Sequence, residues 1–328
     1  ASLMRAEHAA IVQVLAHTWR IGEGPFASEL EELVREDMRH FLWLGGKIVE
    51  LGGLPDVERD AVAFDGDRPS ALIAKDVQLK QRFIERYQLL AQETDDPTLR
   101  LLFNRILSDE RVHLDEFQHL AAELAEGAVP DRFPSPSPPE AVGLTPEDVA
   151  RDVALLNEDL RFEYTVILQY LFQSFVTDDP ALARVLLDDQ AQESMKHMGW
   201  LAETIHESGG TAIVEAGPID RSTDRARILE LNTSLEEEAL RVYSGHLTQL
   251  RHPLAIRTVT RIRDQEAYHL AQFQEIGAHG VPAAPLGPVQ EWAAAPSQRR
   301  RPALRLTVGS LLGVPQEGSL RLAPLPPS

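Results

Sequence analysis

The chain has 328 residues, 43% of them hydrophobic, which at roughly 150 residues per domain fills two ordinary cores and leaves accessory segments over. Its 51 acidic against 32 basic side chains give a formal charge of -19, which disfavours nucleic acid and anionic membranes as partners and favours cations. Cysteine is absent, so disulfides and thiol chemistry are excluded and Glu, Asp and His remain as the strong metal ligands.

The first half is predicted to form four amphipathic helices near residues 3–19, 27–52, 72–94 and 97–126, with no strand-like alternation. Asp96-Pro97 places a capping carboxylate before a first-turn proline and marks the start of the fourth. Residues 127–146, with the run Pro134-Ser-Pro-Ser-Pro-Pro, cannot continue a helix and are expected to be a stiff linker. Thr145 then opens the second half as an N-cap, with Asp148 three residues on as an approximate capping box. Further helices are predicted near 147–176, 179–208, 224–250 and 252–277, the second of them opened by Asp179-Pro180. No apolar stretch reaches the ~18 residues of a membrane span, and no secretory layout opens the chain. A soluble, cytoplasmic protein is expected, with a start trimmed before Ala1.

Within each half the second and third helices are separated by about twenty residues rich in Gly, Pro and Asp, while the other connections are short. One long crossover between two helical hairpins follows, which among four-helix bundles is the ferritin-like connectivity. The expected fold is all-α: two tandem ferritin-like four-helix bundles, 1–126 and 147–280, joined by the Pro-rich linker and followed by a flexible tail, 281–328.

The halves repeat one another about 156 residues apart. Glu7 recurs as Glu163, Glu36 with His40 as Glu193 with His197, Tyr87 as Tyr243, and Glu110 with His113 as Glu266 with His269. Packing marks recur as well: Trp43 as Trp200, Gly52-Gly53 as Gly209-Gly210, Phe117 as Phe273.

Glu266 and His269 lie three apart on a helix and Glu193 and His197 four apart, so each pair can address one spot in a bundle interior. Glu163 on the first helix and Glu236 on the third complete a carboxylate from every helix of the second half. Buried carboxylates so placed repel one another unless cations hold them, and two divalent ions would remove that penalty. Tyr170, seven residues after Glu163, shares its face as a redox-active neighbour or a core aromatic. His206, His246 and His252 have no counterparts and are expected to be surface or cap residues. In the first half Glu7, Glu36, Asp37, His40, Glu110 and His113 form a weaker set. There Lys80 stands where Glu236 stands in the second half, and an ammonium cannot ligate iron but can neutralise the remaining carboxylates.

The stretch Leu156-Asn-Glu-Asp-Leu-Arg-Phe-Glu-Tyr-Thr-Val-Ile-Leu-Gln-Tyr170 resembles the first helix of bacterioferritins and related ferritin-like proteins. Glu193-Ser-Met-Lys-His-Met-Gly-Trp200 and Asp264-Gln-Glu-Ala-Tyr-His269 resemble that family's two Glu-x-x-His segments. The resemblance implies oxidation of ferrous iron at a di-iron centre held by Glu163, Glu193, His197, Glu236, Glu266 and His269. It departs from the family at Ser194 and Asp37, where the second helix should carry Glu. Glu193 is therefore expected to turn inward in place of Ser194, and the first half to be degraded or to hold a single metal. Met38 and Met195 occupy the place at which bacterioferritins ligate haem between subunits, so by that resemblance a tandem chain could pair them on haem b, but core packing is the favoured reading, since methionine is a common gap filler.

In the tail, a basic cluster Arg299-Arg300-Arg301 precedes Leu306-Thr307-Val308-Gly309-Ser310-Leu311-Leu-Gly313. This apolar peptide on a tether closely resembles the targeting peptides that load cargo into encapsulin shells, and implies the shell protein as a partner and the shell lumen as location. The function expected is a ferroxidase, working on Fe(II) with O2 or peroxide for iron storage or detoxification, as a homo-oligomer. The alternatives are a di-iron oxidase or peroxidase on another substrate, and a non-catalytic helical scaffold with decayed sites.

Overall fold

The computed structural model describes residues 2–136 and 143–281. The predicted C-terminal tail beyond residue 281, with its peptide Leu306 to Leu311, lies outside the described residues. The first half consists of α1 (Ser2–Ile21), α2 (Pro25–Glu50), α3 (Pro69–Glu93) and α4 (Pro97–Ala125). The second consists of α5 (Pro146–Val176), α6 (Pro180–Arg184), a π-helical turn (Val185–Ala191), α7 (Gln192–Glu207), α8 (Arg225–Leu247) and α9 (Pro253–His279). In each half the hairpins α1–α2 and α3–α4, or α5–α7 and α8–α9, pack together across one long crossover. The fold is all-α and ferritin-like, as the spacing of the helices predicts.

Local chemistry sets the helix ends. The Asp96 carboxylate accepts from the Thr98 and Leu99 amides at 2.7 and 3.2 Å, and Asp179 does the same for Ala181 and Leu182. Thr145 and Asp148 form a reciprocal capping box. His252 caps α9 through its ring, accepting from the Leu254 amide at 3.2 Å. Gly52 (φ 78°) and Gly209 (φ 81°) end α2 and α7 in the left-handed conformation. Gly53 and Gly210 then donate back to Ile48 and Ile205 at 2.9 and 2.8 Å, completing the same C-terminal motif twice.

The single helix predicted over 179–208 is interrupted, which hydrophobic periodicity did not reveal. Glu163 follows Glu7 by 156 residues, but His197 follows His40 by 157. The second half therefore carries an extra residue ahead of its site, and the wider π turn absorbs it. His197 thereby regains the inward orientation of His40.

α1 and α5 are buried on nearly all sides, because one face closes their own bundle and the other meets the opposite half. α1 packs on α7 and α2 on α5. Phe41 meets Phe175 with ring centroids 6.2 Å apart, and a side chain added at Gly45 would strike the Phe175 ring. At the centre His8 Nε2 and the Tyr164 hydroxyl are 2.7 Å apart. Burial pushes the His8 imidazole down to about 4, so it is uncharged at neutral pH.

Candidate metal centre

In the second half, Glu163 from α5, His197 from α7, Glu236 from α8, and Glu266 and His269 from α9 converge in the core, each no more than 3% exposed. They form two overlapping triplets, Glu163–His197–Glu266 and Glu236–Glu266–His269, whose ligand atoms lie within 4.8 Å of one another. Glu266 is common to both. His197 Nδ1 is 2.7 Å from Glu266 Oε1 and 3.4 Å from Glu163 Oε1, and His269 Nδ1 is 3.0 Å from Glu266 Oε2. The two imidazoles face each other with centroids 6.0 Å apart.

The surroundings aim these ligands. Tyr243 donates to Glu163 and Tyr170 to Glu236. Gln265 bonds His197 Nε2 at 2.9 Å, leaving Nδ1 to face the carboxylates. Trp200 lies against the same ring, with centroids 5.6 Å apart. Burial and the Glu266 charge hold Glu163 above the usual carboxylate range, and the same two causes raise Glu236 further. Burial alone would lower His197, but Glu163 and Glu266 hold it well above its ordinary value. Glu266 is likewise held down by His197 against the effect of burial. The cluster thus retains protons to offset its buried negative charge.

Glu236 Oε2 is buried without a hydrogen-bond partner among the described residues, and His197 Nδ1 and Glu266 Oε1, though 2.7 Å apart, do not align as a hydrogen bond. Orphaned acceptors crowded into a dry core are costly. Three carboxylates and two imidazoles are also the donor set that hard or borderline divalent ions take. The residues of the second half therefore fit divalent metal, through two triplets that share Glu266.

Glu193 departs from expectation. It points outward, partly exposed, and pairs with Lys196 one turn along α7. Its position, four before His197, places it about 40 degrees off the inward face, where solvent and a cation are available. Ser194 occupies the inward position instead, 1% exposed, with its hydroxyl unpartnered among the described residues.

The first half reproduces this framework with a different electrostatic solution. Tyr87 donates to Glu7, Asp109 stands 3.4 Å from His40 Nε2, Trp43 lies against His40, and His40 and His113 stack at 5.8 Å. Glu7, Asp37, His40 and Glu110 bring ligand atoms within 4.8 Å of one another. Lys80, fully buried, places its ammonium 2.7 Å from both Asp37 oxygens and 3.1 Å from Glu110 Oε2. Burial would lower the Lys80 pKa, but Asp37 and Glu110 raise it, so the group stays charged. Burial would raise Asp37, but the Lys80 ammonium holds it well below the usual carboxylate range. These residues do not fit a second ion, since Lys80 fills the place that Glu236 takes in the other half. Glu36, half exposed, pairs with Arg39 and lies 3.5 Å from His113 Nε2.

Tyr170 is wholly buried and bonded to a candidate ligand, so it belongs to the site and to the core at once. Met38 and Met195 are half buried against the core. His246 is not a surface residue, because its Nδ1 lies 2.7 Å from the buried Asp159 carboxylate. Gln265 and Asp109 were not singled out from sequence. Their signal is positional, since each directly precedes the Glu of a Glu-x-x-His pair.

A family profile described as ferritin-like domain matches residues 1–126 and 153–251. A bacterioferritin of Desulfovibrio desulfuricans (strain ATCC 27774 / DSM 6949 / MB) is 24% identical over 104 residues, 31% of this chain and 58% of that protein. The chain thus spans less than two thirds of that relative's length. No solved structure gives a significant match. Among the described residues no helix is long and apolar enough to cross a membrane. Because the profile covers more than half of the residues and falls on both helical halves, the chain belongs to the ferritin-like domain family.

Proposed function

We propose that this protein is a ferroxidase that takes Fe(II) as substrate at a di-iron centre in its second half. The observation that carries this is the pair of buried ligand triplets sharing Glu266. Glu163 and His197 would hold one ion, Glu236 and His269 the other, and Glu266 both. Two ferrous ions so held supply the electrons for reduction of O2 or peroxide. Tyr243 and Tyr170 orient the outer carboxylates, and Gln265 keeps His197 Nδ1 directed at the centre. Protons that Glu163, Glu236 and His197 retain in the metal-free core leave as cations enter. Hard carboxylate ligands suit ferric product and exchange fast enough to release it.

The first half would bind at most one ion, through Glu7, His40 and Glu110, and serve chiefly as a structural counterpart. Met38 and Met195 would be the ligands of a haem b, if one is held between the halves. The resemblance of residues 306–313 to encapsulin targeting peptides supports packaging in the lumen of such a shell, where many tethered copies gain avidity.

Anaerobic Fe(II) titration followed by admission of air tests the reading, with Glu266→Ala as the control. Saturation near two or three irons per chain with fast, mutation-sensitive oxidation supports it. Absence of iron binding, with the helices intact, would leave a helical scaffold.

A further inference from the structure

A cleft of about 410 Å³ opens where the two halves meet, separate from both ligand clusters. Its floor is His8 from α1 with Tyr164 and Leu168 from α5, and its walls include Arg59 from the first crossover and Ile219 and Arg221 from the second. The volume falls in the range of small-molecule sites.

His8 and Arg59 line this cleft without a carboxylate partner among the described residues. The Arg59 guanidinium lies beside the Tyr164 hydroxyl and lowers its pKa against the effect of burial. A guanidinium only donates, so the Tyr164 proton turns to His8 Nε2. The neutral His8 ring then carries its hydrogen on Nδ1. That atom is buried and makes no hydrogen bond of good geometry among the described residues, the Glu58 and Val57 backbone being its nearest polar neighbours. Arg59 bonds two backbone carbonyls, Val214 at 2.7 Å and Asp60 at 3.4 Å, and has no carboxylate within ion-pair distance among the described residues. Glu58, which also lines the cleft, is neutralised by Arg5 at 2.9 Å and Arg221 at 3.5 Å, and Asp60 is held by Arg5 at 3.1 Å. The inner end of the cleft therefore presents donors and positive charge, while Leu168 and Ile219 offer apolar surface.

We propose that this cleft is a binding site for a small organic carboxylate, with its anionic end received by Arg59 and the His8 Nδ1–H and its apolar body laid against Leu168 and Ile219. Such a ligand would touch both halves at once, so its binding would stabilise their packing.

Isothermal titration and thermal unfolding of the full chain with benzoate test this, with benzamide as the neutral isostere and inorganic phosphate as the compact anion. Expected are saturable binding of one benzoate per chain and a rise in Tm. Benzamide and phosphate should each bind about tenfold or more weakly, since each lacks either the charge or the apolar body. Arg59→Gln should weaken benzoate by a similar factor while Co(II) uptake by the ligand clusters is unchanged. Ala216→Phe, which fills the cleft from a loop, should abolish binding even if the Arg59 variant folds poorly. No saturable binding to the native chain, equal affinity in Arg59→Gln, or phosphate binding as tight as benzoate would overturn the proposal.

Discussion

His8 and Tyr164 stand 156 residues apart in corresponding places of the two halves, and they hydrogen-bond each other at 2.7 Å. Equivalent positions meet only on a local twofold axis, so the tandem chain packs its halves as a symmetric dimer packs two subunits. Tyr164→Phe removes the hydroxyl and leaves His8 Nε2 buried and unpaired, at a cost of about 1–3 kcal/mol. Calorimetry at pH 7.5 should show Tm falling by roughly 2–6 °C. An unchanged Tm would mean that the bond contributes nothing to the union of the halves.

The shared position of Glu266 predicts unequal effects of two similar substitutions. Glu266→Gln should remove both ions of the second half, whereas Glu236→Gln should remove about one. Co(II) uptake followed by visible absorption counts these ions without reliance on turnover. Equal losses in the two variants would contradict a bridging role for Glu266.

Ser194 lies where Asp37 lies in the first half, facing inward with an unpartnered hydroxyl. Ser194→Asp should supply a further oxygen ligand and tighten Co(II) binding by about tenfold. Titration in competition with a chelator measures the change, and a weaker affinity would show that the serine is needed for room.

Lys80 offers the converse test. Lys80→Met leaves Asp37 and Glu110 without their cation and should destabilise the chain by about 3–5 kcal/mol. Lys80→Glu rebuilds the arrangement of the second half, so it should lower Tm in the presence of a chelator and regain it with Co(II), taking up about one more ion per chain. A metal-independent Tm for Lys80→Glu would show that the first half cannot reopen.

A pH effect separates from the metal ligands. Burial and neighbouring Glu31 push the Glu203 carboxyl up to about 8, and burial pushes Glu31 up to about 7. Each is protonated in the fold at a pH where the unfolded chain has lost that proton, so stability falls as pH rises from about 4.5 through these values. Between pH 6.5 and 8.5 His8 and His206, both pushed down to about 4, stay neutral and do not interfere. Glu203→Gln should therefore raise Tm at both pH values, and by about 2–4 °C more at pH 8.5 than at pH 6.5. The same gain at both pH values would assign the effect to packing.

Much of the fold was legible because its determinants are local. Asp96-Pro97, Asp179-Pro180 and Thr145 with Asp148 cap helices by contacts within three residues, and the doubled glycines end helices by their own φ angles. Inward residues recur at helical spacing, so Glu163, Glu236, Glu266 and His269 declared themselves. The π turn did not, since a one-residue excess is visible only when the offset of 156 is seen to become 157 along the chain.

The sequence by itself determined eight helical stretches, their pairing into two like bundles and the set of residue types at their centres, because helix formation and amphipathic burial follow from spacing. Only the tertiary structure decided that Glu193 faces Lys196 rather than the centre, that the Lys80 ammonium closes on Asp37 and Glu110, and that His8 meets Tyr164 beside an Arg59 with no carboxylate partner among the described residues. Those outcomes depend on rotation about side-chain bonds and on contacts between residues far apart in the chain, where charge and burial compete over a few ångströms and spacing carries no information.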